Sequence, residues 1–220
     1  MYPAGNLFIP AAHGQLEAIL KQPEGPPKGV ALVLHPHPLG GGTMHNKVVF
    51  RAAAGLNNAG LTVLRINFRG VGQSTGVHDE GRGEVNDVRF GLDYLSKQYP
   101  GLRIVVCGFS FGARVGLEVG IHDPRVAYLI GLGTPLQKYD FEFLTACHKP
   151  LLLVQGEHDE FGDVEELRKF ATEIEKSTTV KLVVIPGVGH FFDERLDELK
   201  DTITEWTTQQ LAANLRNDLG

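Results

Sequence analysis

The sequence predicts an α/β protein: one open, mostly parallel β-sheet with helices on both faces. Three observations carry this. From Gly29 onward, short runs rich in Val, Leu and Ile alternate with longer segments of helical period, the pattern of parallel strands joined by crossover helices. The short runs are apolar at successive positions, as strands covered on both sides must be. The chain has 220 residues, 42% of them apolar, which suits one sizeable core and a single domain over residues 1–220. No repeat, low-complexity stretch or long linker divides it.

The strands expected are Val30–Leu34, Leu61–Phe68, Arg103–Gly108, Val126–Gly131, Leu151–Gln155 and Val180–Ile185, preceded by an antiparallel edge hairpin between Asn6 and Lys21. Helices lie between them. Val85, Val88, Leu92 and Leu95 make one apolar stripe that Pro100-Gly101 ends. Asp163 is placed to cap a helix, with Glu166 reaching back and Val164, Leu167, Phe170, Ala171 and Ile174 facing inward. A final helix carries Leu196, Leu199, Ile203 and Trp206 on one side.

Charge and cysteine content narrow the partners. Lys plus Arg number 21 against 26 Asp plus Glu, a formal charge of -5 with no basic run, so neither nucleic acid nor an anionic membrane is expected. Apolar runs such as Leu151–Val154 fall far short of the ~20 residues of a membrane-spanning helix. Met1 to Asn6 has neither the basic start nor the apolar stretch of a secretory signal. Cys107 and Cys147 require no disulfide framework, and a reducing cytoplasm fits best.

In an open parallel sheet, ligands bind at the carboxyl edge of the strands. There the strand ending at Gly108 runs into Gly108-Phe109-Ser110-Phe111-Gly112, followed by a helix. A sharp strand-to-helix turn forces the serine into a strained conformation, and glycine at Gly108 and Gly112 leaves room for turn, strand and helix to approach. Ser110 is thus a candidate nucleophile, with the Phe111 amide at the helix N-terminus as an oxyanion donor. The plain alternative is that Ser110 only caps the helix.

A serine hydroxyl needs a neutral imidazole to take its proton, and that imidazole needs a carboxylate to hold its tautomer. His190 follows the last expected strand in a glycine-loosened turn, and Asp159 follows the strand before it. The order Ser110, Asp159, His190 is that of a nucleophile elbow in such a sheet, and differs from the chymotrypsin and subtilisin orders. Glu157, Glu160 and Asp163 are nearby competitors for the acid.

The loop His35-Pro36-His37-Pro38-Leu39-Gly40-Gly41-Gly42 follows the first core strand and would supply a second oxyanion donor. Pro36 and Pro38 have no N–H; Leu39 is the first candidate and His37 the second. His35, His37 and His45 form no familiar metal-ligand spacing. The glycine run lacks the Gly-Lys-Ser/Thr of a phosphate loop, and Gly70-Val71-Gly72 lacks the third glycine of a dinucleotide fingerprint. No metal or cofactor is indicated.

With these residues in view, the chain resembles the α/β-hydrolase superfamily, and within it small bacterial serine hydrolases similar to dienelactone hydrolases. The resemblance rests on His35 to Pro38, Gly41 to Met44, Asn46 to Val49 and Asn67 to Ser74, with Gly-x-x-Asp at Gly156 to Asp159 and Gly-x-x-His at Gly187 to His190. It spans about Gly29 to Phe192. Ser110 stands where true dienelactone hydrolases use cysteine, which argues against that reaction. Arg69 and Ser74 read as pins of the turn after Phe68.

The resemblance implies an α/β-hydrolase fold and an acyl-enzyme route for a small-molecule ester. The interval from Ser110 to Asp159, which must hold a strand, leaves little room for a lid, so short acyl chains are expected. A thioesterase, a small-peptide hydrolase or a non-catalytic ligand-binding protein would share the scaffold. The helix around Trp206 to Leu215 is the candidate surface for a homodimer, against a plain surface helix.

Overall fold

A computed structural model describes residues 5–217, with side chains as far as residue 213. The expected hairpin forms from β1 (Leu7–Ala11) and β2 (Gly14–Lys21). Behind it come β3 (Gly29–Leu34), β4 (Leu61–Ile66), β5 (Ile104–Phe109), β6 (Val126–Leu132), β7 (Leu151–Gly156) and β8 (Val180–Ile185). The strands pair in the order β1-β2-β4-β3-β5-β6-β7-β8. From β4 across to β8 every pairing is parallel, and β2 runs antiparallel to both its neighbours.

The alternation of side chains along each strand builds two cores. Val30, Leu32, Val106, Leu151 and Leu153 face α2 (Glu84–Gln98), α3 (Phe111–His122) and α4 (Val164–Ile174). Ala31, Val33, Val105, Cys107, Leu152 and Val154 face α1 (Lys47–Asn58) and α5 (Leu196–Asn217). Each fully buried leucine or valine contributes roughly 1.5–3 kcal/mol. Asp163 caps α4 by accepting the Glu166 amide at 2.9 Å, and Leu167, Ala171 and Ile174 are its buried face.

The structure departs from expectation in several places. Strand β4 stops at Ile66, two residues early, because the Phe68 amide donates to the buried His35 imidazole instead of the ladder. Strand β8 is not covered on both faces: it is the sheet's edge, and only Ile185 of it is fully buried. Helix α1 has no counterpart among the expected elements. Its buried positions Val48, Val49, Ala52, Ala53 and Leu56 are mostly small, so the stripe is faint, although Asn46 caps it through the Val48 amide at 2.9 Å. On α5, Trp206 is buried edge-on to Tyr128 and is spent inside the protein; the side chain of Leu215 lies outside the described residues.

Between β6 and β7 the chain makes only one short 3-10 turn, Glu142–Ala146, so no lid domain is inserted there. Among the described residues, no helix is long and apolar enough to cross a membrane.

The topology already locates a crevice. From β3 the chain crosses to β4 on one side, then returns to β5 on the other. Ligands bind where the connections of two adjacent strands diverge in this way. The loops that meet there are His35–Gly42, after β3, and the turn at Ser110, after β5.

Candidate active site

Ser110 holds φ +55° and ψ −116°, a conformation that costs a side-chain-bearing residue about 1–3 kcal/mol. The surroundings enforce it. The Ser110 amide donates to the Leu132 carbonyl at 2.9 Å, and its own carbonyl accepts from Ala113 and Arg114 in the first turn of α3. The two flanking glycines are sterically required: a Cβ on Gly112 would stand 2.6 Å from the carbonyl oxygens of Leu34 and His35, and one on Gly108 would strike the Gly112 carbonyl. The serine makes no side-chain cap on α3. Its hydroxyl turns the other way.

It turns to His190, whose Nε2 lies 2.9 Å from Ser110 Oγ. On the far side of the ring, Nδ1 is 3.0 Å and 2.9 Å from the two carboxylate oxygens of Asp159. These residues come from the loops after β5, β7 and β8. The latter two loops are stitched by the His158 amide donating to the Val188 carbonyl at 2.9 Å. Gly133, at φ +52°, lets the ring in: a Cβ there would press within 3.1 Å of His190 Nδ1 and Cε1. Phe109 stacks at 4.9 Å, and Phe161 meets the imidazole edge-on at 4.8 Å. His190 is 3% exposed and Asp159 7%. A hydroxyl, an imidazole and a carboxylate in this sequence can pass a proton from oxygen to nitrogen while the carboxylate steadies the imidazolium.

The nearby acids are occupied elsewhere. Glu157 accepts the Gly187 amide at 2.8 Å, Glu160 lies 3.3 Å from the His190 amide, and Asp163 caps α4.

The oxyanion candidates divide. Phe111 begins α3, and its amide donates to no protein acceptor among the described residues. Leu39 points into solvent with 78% exposure, and its amide is engaged by His37 Nδ1 at 3.2 Å. The His37 amide, by contrast, has no protein acceptor among the described residues. Because His37 Nδ1 accepts, its proton sits on Nε2. Burial, followed by the neighbouring His78, holds the ring below the usual histidine range.

His35 proves to be structural. Its Nδ1 faces the Pro36 carbonyl at 2.7 Å and its Nε2 accepts the Phe68 amide at 3.0 Å, which ties the ends of β3 and β4 together and leaves no lone pair for a metal. Complete burial pushes its pKa down to about 3. In the unfolded chain the same ring titrates near 6.5, so this contribution is present above pH ~6.5 and is lost as pH falls toward 3. From this group, denaturant unfolding at pH 5 should show about 2 kcal/mol less stability than at pH 7. His35→Gln should be weaker at pH 7 and shallower in its pH dependence; an unchanged slope would contradict the assignment.

The pins of the next loop act as the sequence indicated. The Arg69 side chain and amide bind the buried Asp87 at 2.8 to 3.2 Å, and Ser74 Oγ donates to the Asn67 carbonyl while accepting the Glu17 amide. Glu17, 3% exposed, accepts amides of Gly5 and Gln73 and the Asn67 side chain. Burial alone would raise its pKa, but those donors outweigh it and hold the carboxylate below its usual range.

A sheet in this strand order, with a serine on the turn after β5 and an imidazole reaching it from the loop after β8, is the α/β-hydrolase architecture. The chain matches the alpha/beta hydrolase domain family over residues 29–216 and belongs to that family. An alpha-beta serine hydrolase homologue from Coxiella burnetii superposes with a TM-score of 0.86 at 38% identity, covering 93% of this chain and 99% of that one. XC6422 from Xanthomonas campestris, described as an α/β serine hydrolase without a lid, gives 0.85 at 32% identity with 96% of each chain covered. The protein RP471 of Rickettsia prowazekii is 35% identical over 208 residues, 91% of this chain and 87% of its own length.

Proposed function

We propose that the protein is a single-domain cytoplasmic serine carboxylesterase that hydrolyses small, short-acyl esters, with Ser110 as nucleophile, His190 as general base and Asp159 as the acid that orients it. The observation that carries this reading is the unbroken row Oγ–Nε2, Nδ1–carboxylate on a strained serine. Ser110 Oγ bonds to the ester carbonyl carbon as its proton passes to His190 Nε2. The oxyanion is met by the amides of Phe111 and His37, the latter in place of Leu39 because the Leu39 amide is already engaged. His190 returns the proton to the departing alkoxide as the C–O bond breaks. Water, deprotonated by the same ring, then cleaves the acyl-enzyme and restores Ser110.

The surface beside the elbow favours a small substrate. Next to Phe111, though lined by none of Ser110, Asp159 and His190, opens a cavity of about 580 Å³ in which Val85, Val115 and Tyr139 are interrupted by Arg82, Arg114 and Lys138. A long alkyl chain would meet charge instead of a continuous apolar surface. Across p-nitrophenyl esters from acetate to palmitate, kcat/KM should peak at two to four acyl carbons and fall by at least about tenfold for chains beyond eight, each methylene being worth only about 0.8 kcal/mol where a wall exists. Rising activity up to palmitate would overturn the short-acyl reading, and a preference for thioesters or anilides over esters would overturn the ester assignment.

A further inference from the structure

The apolar strand β7 ends on a polar side chain that the catalytic proposal leaves unused. Gln155 is fully buried among Leu151, Leu152, Leu153 and Val154, and a buried amide must be paired at both ends. Its Oε1 accepts the Thr134 amide at 2.8 Å. Its Nε2 faces the Gly162 carbonyl at 3.0 Å. One partner is a donor and the other an acceptor, so only one orientation of the amide satisfies both, and the usual ambiguity between amide oxygen and nitrogen disappears. In that orientation Nε2 also points at Asp159 Oδ2, 2.9 Å away.

We infer that Gln155 is a positioning residue: it clamps the Asp159 carboxylate in the rotamer that meets His190 Nδ1. Asp159 Oδ1 is held separately by the Phe161 amide at 2.9 Å, so each oxygen carries one fixed donor besides the imidazole. Without the Gln155 donor, Oδ2 loses its anchor, and the carboxylate is held only by the Phe161 amide on Oδ1 and by the imidazole it is meant to orient. Gln155 also joins the turn at Gly133-Thr134 to the loop carrying Asp159, since both backbone partners of its amide lie on those segments.

The inference rests on the esterase reading only for its kinetic arm. Gln155→Met removes the donor at similar volume, and Gln155→Glu keeps the shape but sets a second carboxyl against Asp159. In both, kcat for a short p-nitrophenyl ester should fall on the order of 10- to 100-fold with KM changed less than about threefold. In proton NMR, a downfield His190 Nδ1–H signal, expected in the wild type and in Ser110→Ala, should move upfield or broaden away in both variants. Thermal melts identify a variant that fails to fold, and the other then carries the comparison. A folded variant with the wild-type signal and kcat would overturn the positioning role. If the wild type shows the signal but cleaves no ester, the esterase reading fails while the clamp is still tested by the signal.

Discussion

Ser110→Ala is expected to lower kcat for a short-acyl ester by on the order of a million-fold, leaving the fold and substrate affinity nearly unchanged. Alanine keeps the Cβ, so the backbone strain at φ +55° is the same in both proteins. What disappears is the oxygen that sits 2.9 Å from His190 Nε2, and with it any acyl-enzyme. The oxyanion amides of Phe111 and His37 remain, so slow residual hydrolysis by water is the expected floor. Steady-state kinetics with a thermal melt as the folding check would measure this, and a loss of less than a hundredfold would point to a different nucleophile.

Asp159→Asn should cost about 10,000-fold in kcat, for a reason visible in the neighbours of the carboxylate. All its protein partners are donors: the Phe161 amide, Gln155 Nε2 and His190 Nδ1–H. Wherever an asparagine NH2 points, it faces another N–H. The strain is relieved most easily when His190 moves its proton to Nε2, and that nitrogen then cannot accept from Ser110. The prediction is therefore a fall in kcat with little change in KM. An equal loss in Glu160→Gln would instead assign the acid's role to Glu160, which in the structure meets the His190 backbone amide and not its ring.

Much of the fold is legible in the sequence. The parallel strands declared themselves because β3, β5 and β7 are covered on both faces and spelled in Val, Leu and Ile. The elbow was legible because its chemistry is local: Gly108 and Gly112 are demanded by contacts within one turn and with the adjoining strand end. Properties that depend on residues distant in sequence were not. Gly133 matters only because a ring from the β8 loop passes over it. His35 is, in the sequence, one of three histidines without familiar metal-ligand spacing, and its structural role exists only because Pro36 and Phe68 occupy its two nitrogens. The sequence ranks Leu39 ahead of His37, and the reversal proposed here turns on a contact that only the fold supplies, the His37 side chain capturing the Leu39 amide. Gln155 did leave a signal, a lone amide closing an apolar strand, and such a group must find partners when buried. Helix α1 left a weaker one in the Asn46 cap and its row of alanines.

The Ser110 hydroxyl, alone among the chain's serines, should be made nucleophilic by His190. Intact-protein mass spectrometry after exposure to a fluorophosphonate tests it most directly. A single adduct is expected, located by peptide mapping on Ser110 and absent from Ser110→Ala and from His190→Ala. A folded wild-type protein that takes up no adduct, or carries it on another residue, would rule out Ser110 as the nucleophile.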